Sequence, residues 1–97
     1  MFQIQYTDDA LDDLRFLRKF DQTIIIKTIE EQLMGEPTVQ RHNRKILRPN
    51  PLAEGELRVA DFRVFYDVHP AATCVNVKAV GKKEHNQLFI CGREFIL

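Results

Sequence analysis

The chain has 97 residues, 44% of them hydrophobic and 29% charged, which suits one folded domain with a single core and leaves no room for a second. Basic and acidic residues balance at fourteen each, but unevenly: residues 1–40 carry four basic and eight acidic, and residues 41–97 carry the remaining ten and six. The longest aliphatic run, Ile24-Ile25-Ile26, is too short to span a bilayer, and MFQIQYTDD lacks the basic-then-apolar pattern of a signal peptide. Cys74, Cys91 and the histidines His42, His69 and His85 lack zinc-ligand spacing, so the expectation is a cytoplasmic protein with inert thiols and neither metal nor cofactor. The basic C-terminal half either meets a polyanion or is a solvated face.

Phe2-Gln3-Ile4-Gln5-Tyr6 alternates apolar and polar residues, as a half-buried strand does. Thr7 is placed to cap a helix whose first turn carries Asp8 and Asp9, favourable against the helix dipole. Leu11, Leu14, Leu17, Phe16 and Phe20 form its apolar stripe. Asp21 reads as the cap of a second helix, with Phe20 and Ile25 at the spacing of a hydrophobic staple. Ile25, Ile26, Ile29 and Leu33 continue the buried face, and Gly35-Glu36-Pro37 stops it. Residues 38–55 lack periodicity and read as a loop with basic residues at Arg41, Arg44, Lys45 and Arg48, pinned to the core through Ile46 and Leu47. After Gly55 the period becomes two. Glu56–Ala60, Phe62–His69 and Thr73–Val80 are expected strands, Gly81 ends the third, Gln87–Ile90 is a further short strand, and 92–97 is a tail. The order gives an α+β domain of two layers, helices on one face of an antiparallel sheet and the other face open.

A turn at Ala60-Asp61 sets Arg58 opposite Arg63 on the open face. Like charges directly opposite each other are mildly unfavourable there. The pair is either splayed into solvent beside Glu56 and Asp67 or held ready for an anion, since guanidinium forks match phosphate oxygens bidentately. Alternation places Leu57, Val59, Val64, Tyr66, Val68, Val75, Val77 and Ala79 against the helices. It places Phe65 and Lys78 on the open face, with Lys82 and Lys83 beside it. Phe65 and Phe89 could offer flat surfaces for a base to stack on, Phe89 being equally suited to a core.

The runs LRVADFRVFYDV and VKAVGKKEHNQLF, following a strand and a two-helix hairpin, resemble the RelE/ParE superfamily of toxins from type II toxin–antitoxin pairs. LRPNPLAEGELR, which contains Arg48, is similar to members of the same group. The resemblance covers nearly the whole chain. It implies a RelE-like two-layer fold over residues 1–97 and a cognate antitoxin as partner. RelE-like members cleave messenger RNA in the ribosomal A site without a metal, whereas ParE-like members inhibit DNA gyrase; a degenerate toxin would only bind its antitoxin. Arg63 falls where RelE-like toxins carry an arginine that stabilises the scissile phosphate, and Arg58 near a basic residue of the preceding strand. Lys83 stands where the archetype has an arginine, and Phe89 where it has a catalytic tyrosine.

Cleavage by 2′-oxygen attack needs a base, an acid and cations around the phosphorane. Arg58 and Arg63 qualify only as cations. Phenylalanine cannot exchange a proton, so His85, with Glu84 beside it, is the candidate replacement. Glu56 shares the open face and is the candidate carboxylate base. The expected catalytic set is therefore Arg63, Arg58, Lys83, His85 and Glu56. The expected RNA contacts are Lys78, Lys82, Arg48, Phe65 and Phe89.

Overall fold

The computed structural model describes all 97 residues. Strand β1 (Gln3–Tyr6) leads into helices α1 (Asp8–Phe16) and α2 (Lys19–Leu33); then come β2 (Arg44–Ile46), β3 (Gly55–Val59), β4 (Phe62–His69), a short 3-10 turn, β5 (Cys74–Glu84), β6 (Gln87–Ile90) and β7 (Arg93–Phe95). The sheet runs β2-β3-β4-β5-β6-β7 with antiparallel neighbours, and β1 joins β5 in parallel. Both helices lie on one face. Ala10, Leu14, Ile25, Ile29 and Leu33 bury against Leu57, Val59, Val64, Tyr66, Val75, Val77 and Val80 of the sheet. No helix is long and apolar enough to cross a membrane.

Several sequence expectations are met closely. Thr7 caps α1, its Oγ1 accepting from Ala10 N at 3.1 Å. The β3–β4 hairpin has the expected register, with Val59 opposite Phe62, Arg58 opposite Arg63 and Leu57 opposite Val64. Others are corrected. Helix α2 begins at Lys19, ahead of Asp21, which lies in the first turn and pairs with Arg18 at 3.3 Å. Phe20 is 73% exposed and makes no staple, and Phe16 is also exposed, so Leu14 is the fully buried leucine of the α1 stripe. The segment read as a loop contains edge strand β2, while Ile46 faces solvent and Leu47 alone of that pair packs inward. Strand β5 continues through Gly81 to Glu84, and the expected tail forms β7.

One irregularity changes which residues face which way. Phe65 pairs with Ala79 and Tyr66 with Val77, leaving Lys78 unpaired as a β-bulge. The extra residue reverses the alternation beyond it. Ala79 therefore turns to the open face and Val80 to the helices, the opposite of a plain two-residue repeat.

Helix α1 fills a gap in the sheet beside the bulge. Strand β1 pairs with Cys74–Val77 and β6 with Lys82–Glu84, so residues 78–81 lack a strand partner on that side. Thr7 Oγ1 donates to Lys78 O at 3.1 Å, and the Asp13 carboxylate accepts from Val80 N at 2.9 Å and from Cys91 Sγ at 3.1 Å. Burial pushes the Asp13 carboxyl above its ordinary range, against the lowering effect of those two donors. The Cys91 thiol is pushed up to about 11, by burial and then by Asp13. A carboxyl raised in the folded state favours folding while protonated and loses that contribution as pH climbs through its folded value. Stability is therefore expected to decline with rising pH from about the ordinary aspartate value of 3.8 upward. Asp13→Asn keeps an acceptor for Val80 N and should flatten that decline in urea melts at several pH values; an unchanged slope would refute this.

Candidate functional site

The face away from the helices is not bare. A second cluster of Ala53, Phe65, Ala79 and Leu88 is closed over by Leu47, Leu52, Ile90 and Phe95. Phe65 is 0% exposed, so it is core and cannot stack on a base. Its parity was read correctly, but the 47–53 segment and the β6–β7 hairpin cover it.

Basic side chains gather at one end of this face. Arg58 and Arg63 are cross-strand partners, and Arg63 in turn pairs with Gly81 of β5. Phe62 follows a two-residue turn in which Ala60 takes φ 52°, a left-handed conformation that turns the chain tightly between the two arginines. Arg63 is only 9% exposed. Its Nη1 donates to Ala60 O at 3.0 Å and Phe62 O at 2.9 Å, and its Nε lies 3.7 Å from Glu56 Oε1. Nη2 has no hydrogen-bond or ion-pair partner within the chain. Burial, then the neighbouring Arg58, pulls the Arg63 guanidinium below its ordinary range, with Glu56 and Asp61 opposing. Arg58 is exposed and has no ion-pair partner.

Lys83 is exposed and pairs with Leu88, which puts it on the same face; its N donates to Asp61 O at 2.7 Å, beside the β3–β4 turn. Gly81 is required in this row. A Cβ there would lie 2.7 Å from Phe89 O and 2.9 Å from the Ile90 side chain, so its absence lets β6 close down beside Arg63.

The remaining expected residues are dispersed. Glu56 has both oxygens engaged, Oε1 with Arg63 and Oε2 with Lys45 at 3.5 Å. Lys82 lies on the helix side, its Nζ 6.0 Å from the Phe62 ring centre, because the bulge reversed the alternation. Phe89 pairs with Lys82 and lines a 280 Å³ cleft with Asp13, Phe16 and Leu17 of the helical layer. His85 occupies the tip of the β5–β6 turn at φ 50°, four residues beyond Gly81 and so about 13 Å along the strand from the arginine row. Arg48 and Lys78 line a separate 630 Å³ cleft at the far end of the sheet, where Lys78 lies 3.9 Å from Asp67. No group of three or more His, Cys, Asp or Glu side chains is placed to hold a metal ion.

Sequence reasoning missed two basic residues. Lys45, opposite Glu56 on β2, was assigned to the loop. Arg93, assigned to the tail, pairs with Ile90 and so shares its face. The Cys91-Gly92 step after a short apolar strand is the local signal of that hairpin.

No protein-family model matches the chain, and no curated protein matches its sequence. Solved structures do. The RelBE2 toxin–antitoxin complex of Mycobacterium tuberculosis superimposes with a TM-score of 0.73 at 21% identity, covering 84% of this chain and 98% of that one. The isolated Escherichia coli RelE toxin gives 0.70 at 23%, covering 88% and 87%. The chain has the RelE fold. The intact Escherichia coli RelBE complex agrees, with 0.69 at 24% identity over 88% of this chain and all of that one. Within this RelE fold the arginine pair occupies one end of the antiparallel sheet, on the face opposite the helices.

Proposed function

We propose that the protein is the toxin of a type II toxin–antitoxin pair and acts as a RelE-like, metal-independent endonuclease on messenger RNA at the ribosome, halting translation. The observation that carries this reading is the Arg58–Arg63 pair, side by side on a RelE fold with Lys83 next to it. In the reaction, the 2′-oxygen attacks the adjacent phosphorus while the 5′-oxygen leaves. Arg63 Nη2 and Arg58 hold the non-bridging oxygens and take up the charge that builds there. Glu56 and the two carbonyls fix Arg63 before the ligand arrives. Lys83, on the same face beside the β3–β4 turn, adds charge and is a candidate proton donor. His85, at the hairpin tip about 13 Å from the arginine row, is too far away to exchange a proton with a phosphate held there.

The partner is a cognate antitoxin, by analogy with the RelB–RelE complexes of similar fold. An acidic antitoxin segment would neutralise Arg58, Lys83 and Arg63. A second reading, a ParE-like inhibitor of DNA gyrase, is favoured by one observation. Phe89 carries no exchangeable proton and lies on the helix side.

Controlled expression separates the two. Pulse labelling should show protein synthesis stopping first while DNA synthesis continues. Early loss of DNA synthesis with translation intact would replace the nuclease reading with the gyrase one.

A further inference from the structure

Six of the fourteen cations have no ion-pair partner: Lys19, Arg44, Arg48, Arg58, Lys83 and Arg93. Three of the six stand with Arg63 at one end of the open face. The register strings two of them, Arg58 and Arg93, into a line with Arg63 across the strands: Arg58 opposite Arg63, Arg63 opposite Gly81, then Ile90 and Arg93 opposite each other. Ile90 reaches Gly81 directly, since a Cβ on Gly81 would lie 2.9 Å from the Ile90 side chain. No carboxylate interrupts the line. Glu94, the one acid on β7, pairs with Phe89 and takes the opposite face.

The spacing along this line is uneven. Arg58 and Arg63 sit on adjacent strands about 5 Å apart, close enough to share one phosphate, while Arg93 is three strands from Arg63, about 14 Å along the sheet. Arg63 is tied to the β3–β4 turn through Ala60 O and Phe62 O and cannot swing towards β7. Arg93 therefore needs a different phosphate. The floor between them is the backbone of Gly81 and the side chain of Ile90, without a charge of its own.

We infer that Arg93 is a second phosphate-binding point, and that Arg58, Arg63 and Arg93 together form a track across the sheet that selects a single-stranded RNA of several nucleotides over a mononucleotide. This rests on the phosphate-binding reading of Arg58 and Arg63. It adds the direction in which the strand runs, from β3 towards β7, and a residue that specifies ligand length.

Binding of a six-nucleotide oligoribonucleotide and of a nucleoside monophosphate to the full-length protein, measured across a salt series, tests it. Arg93→Ala should weaken the oligonucleotide and reduce the slope of log affinity against log salt by about 0.7, the value for one phosphate contact on a single strand. Monophosphate binding should be unchanged, and Arg93→Lys should restore the slope. Lys27→Ala, on the surface of α2 beside Glu31, serves as the charge control and should leave the slope as in the wild type. An Arg93→Ala slope equal to wild type, or equal loss for both ligands, overturns the inference. If Arg63→Ala leaves both ligands bound as before, the arginine-pair reading itself fails, and the track fails with it.

Discussion

Replacing Arg63 with alanine is expected to slow RNA cleavage by roughly 10²–10³-fold while the protein stays folded, the loss typical of removing one pre-placed donor to a developing oxyanion. The size follows from how Arg63 is held. Its guanidinium is 9% exposed and fixed by two carbonyls and Glu56, so it pays little ordering entropy when a phosphate arrives. Arg58 is free in solvent and must be ordered on binding, so Arg58→Ala should cost less, about tenfold. Arg63→Lys should behave like the alanine variant, because an ammonium cannot span the carbonyls, Glu56 and a phosphate at once. Single-turnover cleavage on programmed ribosomes, with circular dichroism to verify folding, checks the order. Arg63→Ala cleaving at the wild-type rate would remove the main support for the site.

Phe65→Ala should destabilise the protein by about 3–5 kcal/mol, a large share of the total of about 5–15 kcal/mol for a domain of this kind. The ring is fully buried between the sheet and the covering residues Leu47, Leu52 and Ile90. Phe65→Leu conserves most of the volume and should cost roughly 1–1.5 kcal/mol, leaving RNA affinity unchanged. If Phe65 were instead a stacking platform, the leucine variant would lose RNA affinity while urea melts stayed near wild type. That pattern would contradict the burial of the second cluster.

The hairpin from Leu57 to Tyr66 was legible because its signal is local: two alternating runs separated by two residues allow one register. Helix α1 was legible from Thr7 and the acids after it. The bulge at Lys78 was not, because neither glycine nor proline marks it and its effect is felt only across the strand pair. That single unpaired residue carried Ala79 to the open face and Lys82 to the helix side, dividing the lysines expected on or beside the open face. Burial of Phe65 was hidden for a different reason. It depends on Leu47 and Ile90, which are remote in sequence and meet over the ring only after folding. Arg93 escaped notice because a three-residue strand is too short to show a period.

Several residues suggested for the chemistry now have different physical settings. Glu56 orients Arg63 and is gripped by Lys45. Phe89 lines the cleft beneath α1. On the proposed nuclease reading, the arginine row would supply charge and position, and proton transfer would fall to Lys83 or groups of the ribosome. Cleavage on that reading is expected to depend on the ribosome, since the chain places cations together without a complete acid–base pair.

The most direct test of the central claim is mapping messenger RNA 5′ ends after a brief pulse of expression, in cells making either the wild type or Arg63→Ala. The wild type should produce new ends in phase with the codon in the ribosomal A site, and Arg63→Ala should not. Growth arrest by the wild type without any such ends would contradict the nuclease assignment.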